Sequence, residues 1–369
     1  MCSLVIKQCV APKIYSTVEE KEEIKVKFSD IHSQQTKSLR RRVLCCALVL
    51  VIVIIASFNF GRYGINLLEA GKVLLAQIFP LEQTWPDNYE KVVIYIRLPR
   101  ILAAVFIGAA LSLAGATYQA VFKNPLVSPD ILGAASGASL GAALAIFNGL
   151  GAFWTQIMAF AFSLGAVCLT YMVSGKIKRD PALALILSGI FIGSLAEAFV
   201  TLLKYLADPE DTLPSITYWL MGSLSNVMMS DLTYVLLMML VFAIPLFLLS
   251  WQLNALSLGE DEARSLGVET KRLRIIAILC STLLTATSIS IGGLIGWVGL
   301  VIPHWSRMLV GSNNKILLPM SALMGGTFLL IVDNVARSLV STEIPLGVLT
   351  AIVGAPFFIA LMIRGKSSY

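Results

Sequence analysis

Residues 101–122 form a run of 22 residues without one Asp, Glu, Lys or Arg. At a helical rise of about 1.5 Å per residue the run is about 33 Å long, enough to cross a hydrocarbon core. Its ends are marked. Arg97, Leu98, Pro99 and Arg100 stand before it and KNPLVSPDILG follows, so cations and prolines bracket the apolar stretch. Gly108, Ser112 and Gly115 fall nearly on one face, a spacing that predicts close approach to another helix rather than to lipid.

The pattern recurs. Further apolar segments lie near 43–60, 131–148, 152–174, 183–203, 232–251, 272–291, 295–310, 317–338 and 346–363, which predicts an all-α polytopic membrane protein with about ten transmembrane helices, some of them short or re-entrant. Composition supports this class: with 57% hydrophobic and 14% charged residues, and a mean hydropathy of +0.81, the chain cannot cover a soluble surface with polar groups. The formal net charge is +6, and the cations gather at segment ends, which suits contact with membrane lipid headgroups and not a nucleic-acid groove. Six cysteines show neither CxxC nor Cys/His spacing, so no metal site is expected and the thiols read as buried and unpaired.

Charge bias orients the spans. Arg40, Arg41 and Arg42 precede the first crossing and put the amino terminus in the cytosol. The connections carrying Lys123, Lys176, Lys178, Arg179, Arg264, Lys271, Arg272, Arg274, Arg307 and Lys315 then become cytosolic, as does the carboxyl end with Arg364 and Lys366. Connections 61–97 and 204–231 fall outside, where acids balance their cations. Residues 1–39 hold alternating charges and no crossing, and read as a disordered cytosolic extension; residues 40–369 read as one transmembrane domain.

Four ordered stretches resemble a known family: RLPR with GAALSLAGATYQ and KNPLVSPDILG; LNALSLGEDEARSLGV at 253–268; GLIGWVGLVIPHWSR at 293–307; and LLPMSALMGGTFLLIVDNVAR at 317–337 with EIPLGVLTAIVGAPFFI at 343–359. The chain is similar to the membrane permeases of iron–siderophore, haem and vitamin B12 ABC importers. The resemblance implies a type II importer permease in the bacterial cytoplasmic membrane, paired with a second permease copy or paralogue. It also implies two cytosolic ATPase subunits, an extracytoplasmic substrate-binding protein, and an iron–siderophore as cargo, with haem or cobalamin as alternatives. No GxxxxGK[ST] occurs in the chain, so ATP would be bound by the partner subunits, and no cofactor is expected here.

Candidate residues follow. Loop 252–270 reads as two short helices joined at Gly259, with Glu260, Asp261 and Glu262 at the positive start of the second and Gly267 as its stop. A solvated loop is the plain alternative, but the resemblance implies that Gly259, Glu260, Ala263 and Gly267 meet the ATPase. It also matches Arg97, Arg100 and Arg337 to arginines that dock the binding protein. Helix-end cations otherwise snorkel to lipid headgroups, and Arg337 stands one turn from Asp333, which suits a local ion pair. Gly293, Gly296 and Gly299 crowd a break before Pro303 and serve either close packing or a flexible pathway wall. Glu197, an acid at membrane depth, is a pathway candidate that could instead pair with Lys204.

Two rival classes use the same residues. A proton-coupled transporter would employ Glu197 and Asp333 but leave the 253–268 hairpin without purpose. A serine hydrolase would use Ser139 of a GxSxG at 137–141 with His304, yet Ser139 lies in a helical run and the mechanism needs a strand before the serine. No catalytic residue is therefore assigned. Val332 and Trp297 depart mildly from the family pattern.

Overall fold

The computed structural model describes residues 18–365 except 62, 81, 178–180 and 341. Residues 1–17 of the amino-terminal extension, with Cys2 and Cys9, lie outside the described residues, as do Lys178, Arg179 and Lys366. Two compact units divide at residue 45. In the first, the chain is helical from residue 18, as part of α1 (Val18–Ser57).

The second unit carries α2 (Leu67–Ala76), α3 (Leu98–Val121), α4 (Ala134–Phe147), α5 (Ala152–Ser174), α6 (Pro181–Leu206), α7 (Thr212–Met221) and α8 (Met229–Leu248). There follow α9 (Ser250–Leu258), α10 (Glu260–Ser265), α11 (Thr270–Gly292), α12 (Val298–Val310), α13 (Asn314–Ser338) and α14 (Leu346–Gly365). Among the described residues there is no strand, and six helices are long and apolar enough to cross a membrane. The segments expected near 131–148 and 346–363 are shorter apolar helices, and the one near 295–310 is cut to the 13 residues of α12.

Helix α3 is the hub, lying against α13, α11, α12 and α8. Its small-residue face does what the spacing predicts. A Cβ on Gly108 would fall 2.3 Å from the Gly325 carbonyl oxygen in α13, and one on Gly115 would fall 1.8 Å from that of Gly299 in α12. Only hydrogen at these positions lets the backbones touch. Gly137 and Gly141 play the same part for α4 against α5, at the Phe162 and Met158 carbonyls.

Two interruptions of helix lie at membrane depth. Ser128 caps a 3-10 turn over Pro129–Leu132, and Gly133 leaves it at φ 82°. This turn reaches Gly189, eight residues or about 12 Å into α6, where an added Cβ would meet the Ile131 carbonyl at 2.2 Å. The second interruption spans 293–297, with Gly293 at φ 67° and Trp297 at φ 69°. Because α12 is 13 residues, about 20 Å long, this break stands about 10 Å short of a full crossing. The first turn of α12, just past the second interruption, packs on the first: a Cβ on Gly299 would fall 2.8 Å from Pro129 Cδ. Irregular backbone at this depth needs protein or water beside it.

The cysteine expectation is corrected in part. Cys280 is buried, but Cys45 and Cys168 are exposed and Cys46 is half-buried, because small apolar thiols tolerate a helix face turned away from the bundle as well as one turned inward.

Candidate functional site

Three groups of residues stand out, beginning with the α9–α10 hairpin. Helix α10 opens with Glu260, Asp261 and Glu262 at its positive end. It ends as the sequence predicts, on Gly267 at φ 80°: the Val268 amide donates to the Ala263 carbonyl and the Gly267 amide to that of Arg264, both at 2.9 Å. The hairpin is bolted to its neighbours. Leu253, Leu256 and Ala263 are wholly buried. Asn254 donates to Asn313 Oδ1 at 2.8 Å and accepts from the Asn314 amide at 2.7 Å, which ties α9 to the start of α13. Arg274 of α11 donates to Glu260 and holds its carboxyl below the usual carboxylate range.

This geometry sorts the expected contact residues. Ala263 faces inward, the Glu260 carboxylate is engaged by Arg274, Gly259 is half-buried and Gly267 is exposed. The outward surface is made by Asp261, Glu262, Arg264, Leu258 (70% exposed) and Leu266 (53% exposed). Two leucines left so open beside charged groups give the hairpin an amphipathic outer face.

The second group lies at the opposite end of α3. Arg97, Arg100 and Arg337 are 3%, 6% and 5% exposed, so they face neither lipid nor water. A π-helical segment, Lys91–Arg97, carries Arg97 to the Phe58 and Tyr63 carbonyls, to which it donates. Arg100 forks onto Asp333, with Nε donating to Oδ1 at 2.9 Å, and donates from its third nitrogen to Glu343 Oε1 at 2.8 Å. Arg337 donates to the Ser57 carbonyl at 2.9 Å and to Asn334, while its Nε lies 3.7 Å from Asp333 Oδ2. The Asp333–Arg337 pairing was visible one helical turn apart; Arg100 with Asp333 and Glu343 was not, being 233 and 243 residues distant. Direct ion pairing of these arginines with another protein would require them to give up internal partners.

The third group is the set of pathway candidates. Gly293 packs against the Trp219 carbonyl, 2.4 Å from where its Cβ would stand, and Gly299 packs against Pro129, whereas Gly296 opens onto empty space. Glu197 is exposed on α6 and accepts a hydrogen bond from Ser136 at 3.0 Å. No ion pair to Glu197, from Lys204 or any other cation, occurs among the described residues. Gln119 is a contributor the sequence reading missed: it accepts from Arg307 at 2.9 Å and donates to the Leu300 carbonyl, joining α3 to α12. A buried glutamine late in an apolar run was its only signal.

Ser139 lies inside α4 and donates to the Ala135 carbonyl at 2.9 Å, so the turn a hydrolase nucleophile needs is replaced by continuous helix. Among the described residues no three His, Cys, Asp or Glu side chains converge as metal ligands.

A polytopic helical bundle with a rigid polar hairpin at one end and interrupted helices inside is the build of a membrane permease. The profile of the FecCD transport family matches residues 49–364, and the chain belongs to this family of ABC transporter permease subunits, which are not themselves enzymes. Among its relatives, the molybdate import system permease protein MolB of Haemophilus influenzae is 43% identical over 319 residues, covering 86% of this chain and 94% of that protein. A Helicobacter pylori protein described as an iron chelatin transport system permease is 36% identical over 326 residues, covering 88% and 97%. A solved structure described as an inward-facing metal-chelate type ABC transporter superposes with a TM-score of 0.79 at 41% identity, covering 88% of this chain and 99% of that one. Family membership implies a partner permease subunit, ATPases and a binding protein.

Proposed function

We propose that this chain is the permease of an iron–siderophore importer, moving its cargo by alternating access between two permease copies while separate ATPase subunits supply the energy. The observation that carries the transport reading is the α9–α10 hairpin, tied to α11 through Arg274 and to α13 through Asn254, so that a push on its outer face moves both helices together. Gly259 and Gly267 set its shape, Ala263 anchors it and Glu260 locks it, while Leu258 and Leu266 offer the surface the ATPase grips. In this reading the hairpin and both termini are cytosolic, in the bacterial cytoplasmic membrane.

On the other side Arg97, Arg100 and Arg337 serve the binding protein by holding the outer loops in shape. Glu343, the most open member of the cluster with 24% of its side chain exposed, is the partner that an incoming carboxylate could replace on Arg100. The cargo reading draws support from the iron chelatin relative and the metal-chelate structure. A second reading, molybdate, is favoured by the 43% identical relative. Uptake of radiolabelled ferric siderophores and of molybdate by cells with and without the chain separates them. Chain-dependent uptake of a ferric siderophore is the expected result, and uptake of molybdate alone would overturn it.

A further inference from the structure

From Phe191 to Lys204, helix α6 has two exposed faces of different character, whereas in its first half the exposed Leu183 and Ile190 fall on the same side as the second of them. Phe191, Leu195 and Leu202 are exposed on one. On the other, Ser194, Glu197, Thr201 and Lys204 recur at three- and four-residue steps, which at 100° per residue places all four within an arc of about 80°. Ser194, Glu197 and Thr201 are exposed and Lys204 is half-buried. The stripe is deep: Glu197 stands 15 residues from the start of the Ala182–Leu206 span and nine from its end. The Ser136 hydroxyl of α4 extends the polar surface by its bond to Glu197.

Hydrocarbon solvates the first face and not the second. An exposed carboxylate nine residues inside a span is expensive against lipid and marks a face turned to water or to protein. Ser136 satisfies one of its lone pairs, no cation neutralises it among the described residues, and the Thr201 hydroxyl is spent on its own helix, at the Glu197 carbonyl 2.9 Å away. What remains is an open, negatively charged position with acceptor capacity to spare.

We propose that this stripe lines the translocation pathway and that Glu197 sets its charge preference, favouring cargo that presents positive charge or hydrogen-bond donors, such as a metal chelate, over a free dianionic oxyanion. The proposal rests on the permease reading above. With two copies facing each other, two carboxylates meet at one depth, so a small dianion crosses against like charge while a large chelate spreads or masks its own.

Ser194→Cys and Thr201→Cys, in a background with Cys2, Cys9, Cys45, Cys46 and Cys168 changed to Ala, test the wall directly in membrane vesicles. Small cationic and anionic methanethiosulfonate reagents should both react, the cationic one faster by about tenfold relative to a free thiol, and adding Glu197→Gln should bring that ratio toward one. Failure of both reagents at both positions, while a loop cysteine reacts, would mean the face meets lipid and would overturn the proposal. A ratio indifferent to Glu197→Gln would overturn the charge role. In cells, the ratio of ferric hydroxamate to molybdate uptake should fall by about threefold or more with Glu197→Gln, and an unchanged ratio would overturn selectivity. If wild-type cells take up neither probe, the cargo reading of the preceding subsection fails by itself, and the labelling ratio still decides this one.

Discussion

Asp333→Ala removes a carboxylate that sits wholly buried between Arg100 and Arg337. Arg100 keeps Glu343 on one nitrogen, and Arg337 keeps Ser57 and Asn334, but the fork of Arg100 onto Asp333 and the charge between the two guanidinium groups are lost. Removing one partner from a buried pair costs about 3–5 kcal/mol, because the remaining charge stays desolvated. For a chain of this length each kcal/mol lowers the melting point by about 1–2 °C, so a fall of roughly 5 °C is expected in a detergent-purified sample. The companion variant, Arg100→Met with Asp333→Leu, replaces both charges by apolar groups of similar bulk and should recover at least about half of the loss. The Glu343 carboxylate it frees is partly exposed and can take up water. A fall worth less than about 1 kcal/mol for Asp333→Ala, or a double variant no better than the single one, would refute the argument that this cluster is dry and mutually dependent.

Other consequences are as direct. Gly115→Val should leave little folded protein, since its Cβ would stand 1.8 Å from the Gly299 oxygen and overpacking by even one methylene costs about 1–3 kcal/mol; normal expression and melting would contradict the packing of α3 on α12. Lys123 holds φ 52° at the end of α3, where L-residues are strained, so Lys123→Gly should raise stability by about 1 kcal/mol, read as a higher melting point. The Glu260 carboxyl is depressed by Arg274, so its stabilisation of the hairpin is present above the unfolded value of about 4.3 and is lost as pH falls through the lower folded value. Protection of the α10 amides, taken relative to their intrinsic exchange rates, should fall below about pH 4 in the wild type, and Glu260→Gln should remove that step while lowering protection at neutral pH.

Much of this was legible because it is local or periodic. The apolar run of α3, its glycine face and the stop of α10 at Gly267 follow from spacing, and the structure realises each by the contact the spacing predicts. What depends on distant partners was not. Nothing near Arg100 in sequence announces Glu343, and a helix-end arginine reads the same whether it snorkels to lipid or is sealed against Asp333. Gly293, Gly296 and Gly299 share a composition and a turn of chain, yet two are filled by neighbouring backbone or proline and one faces open space. Ala263 belongs to the hairpin as expected but supports it from inside, because a six-residue helix buries one face and Ala263 is on it.

The central claim is that the hairpin couples this permease to a separate ATPase. The most direct measurement is uptake of radiolabelled ferric siderophore by cells carrying the wild-type chain or Glu260→Arg, with ATP depleted in one arm and an uncoupler added at preserved ATP in the other. The account predicts uptake that survives the uncoupler, disappears with ATP, and is absent in Glu260→Arg although that variant reaches the membrane in normal amount. Uptake that collapses with the uncoupler at preserved ATP, or that continues in Glu260→Arg, would contradict it.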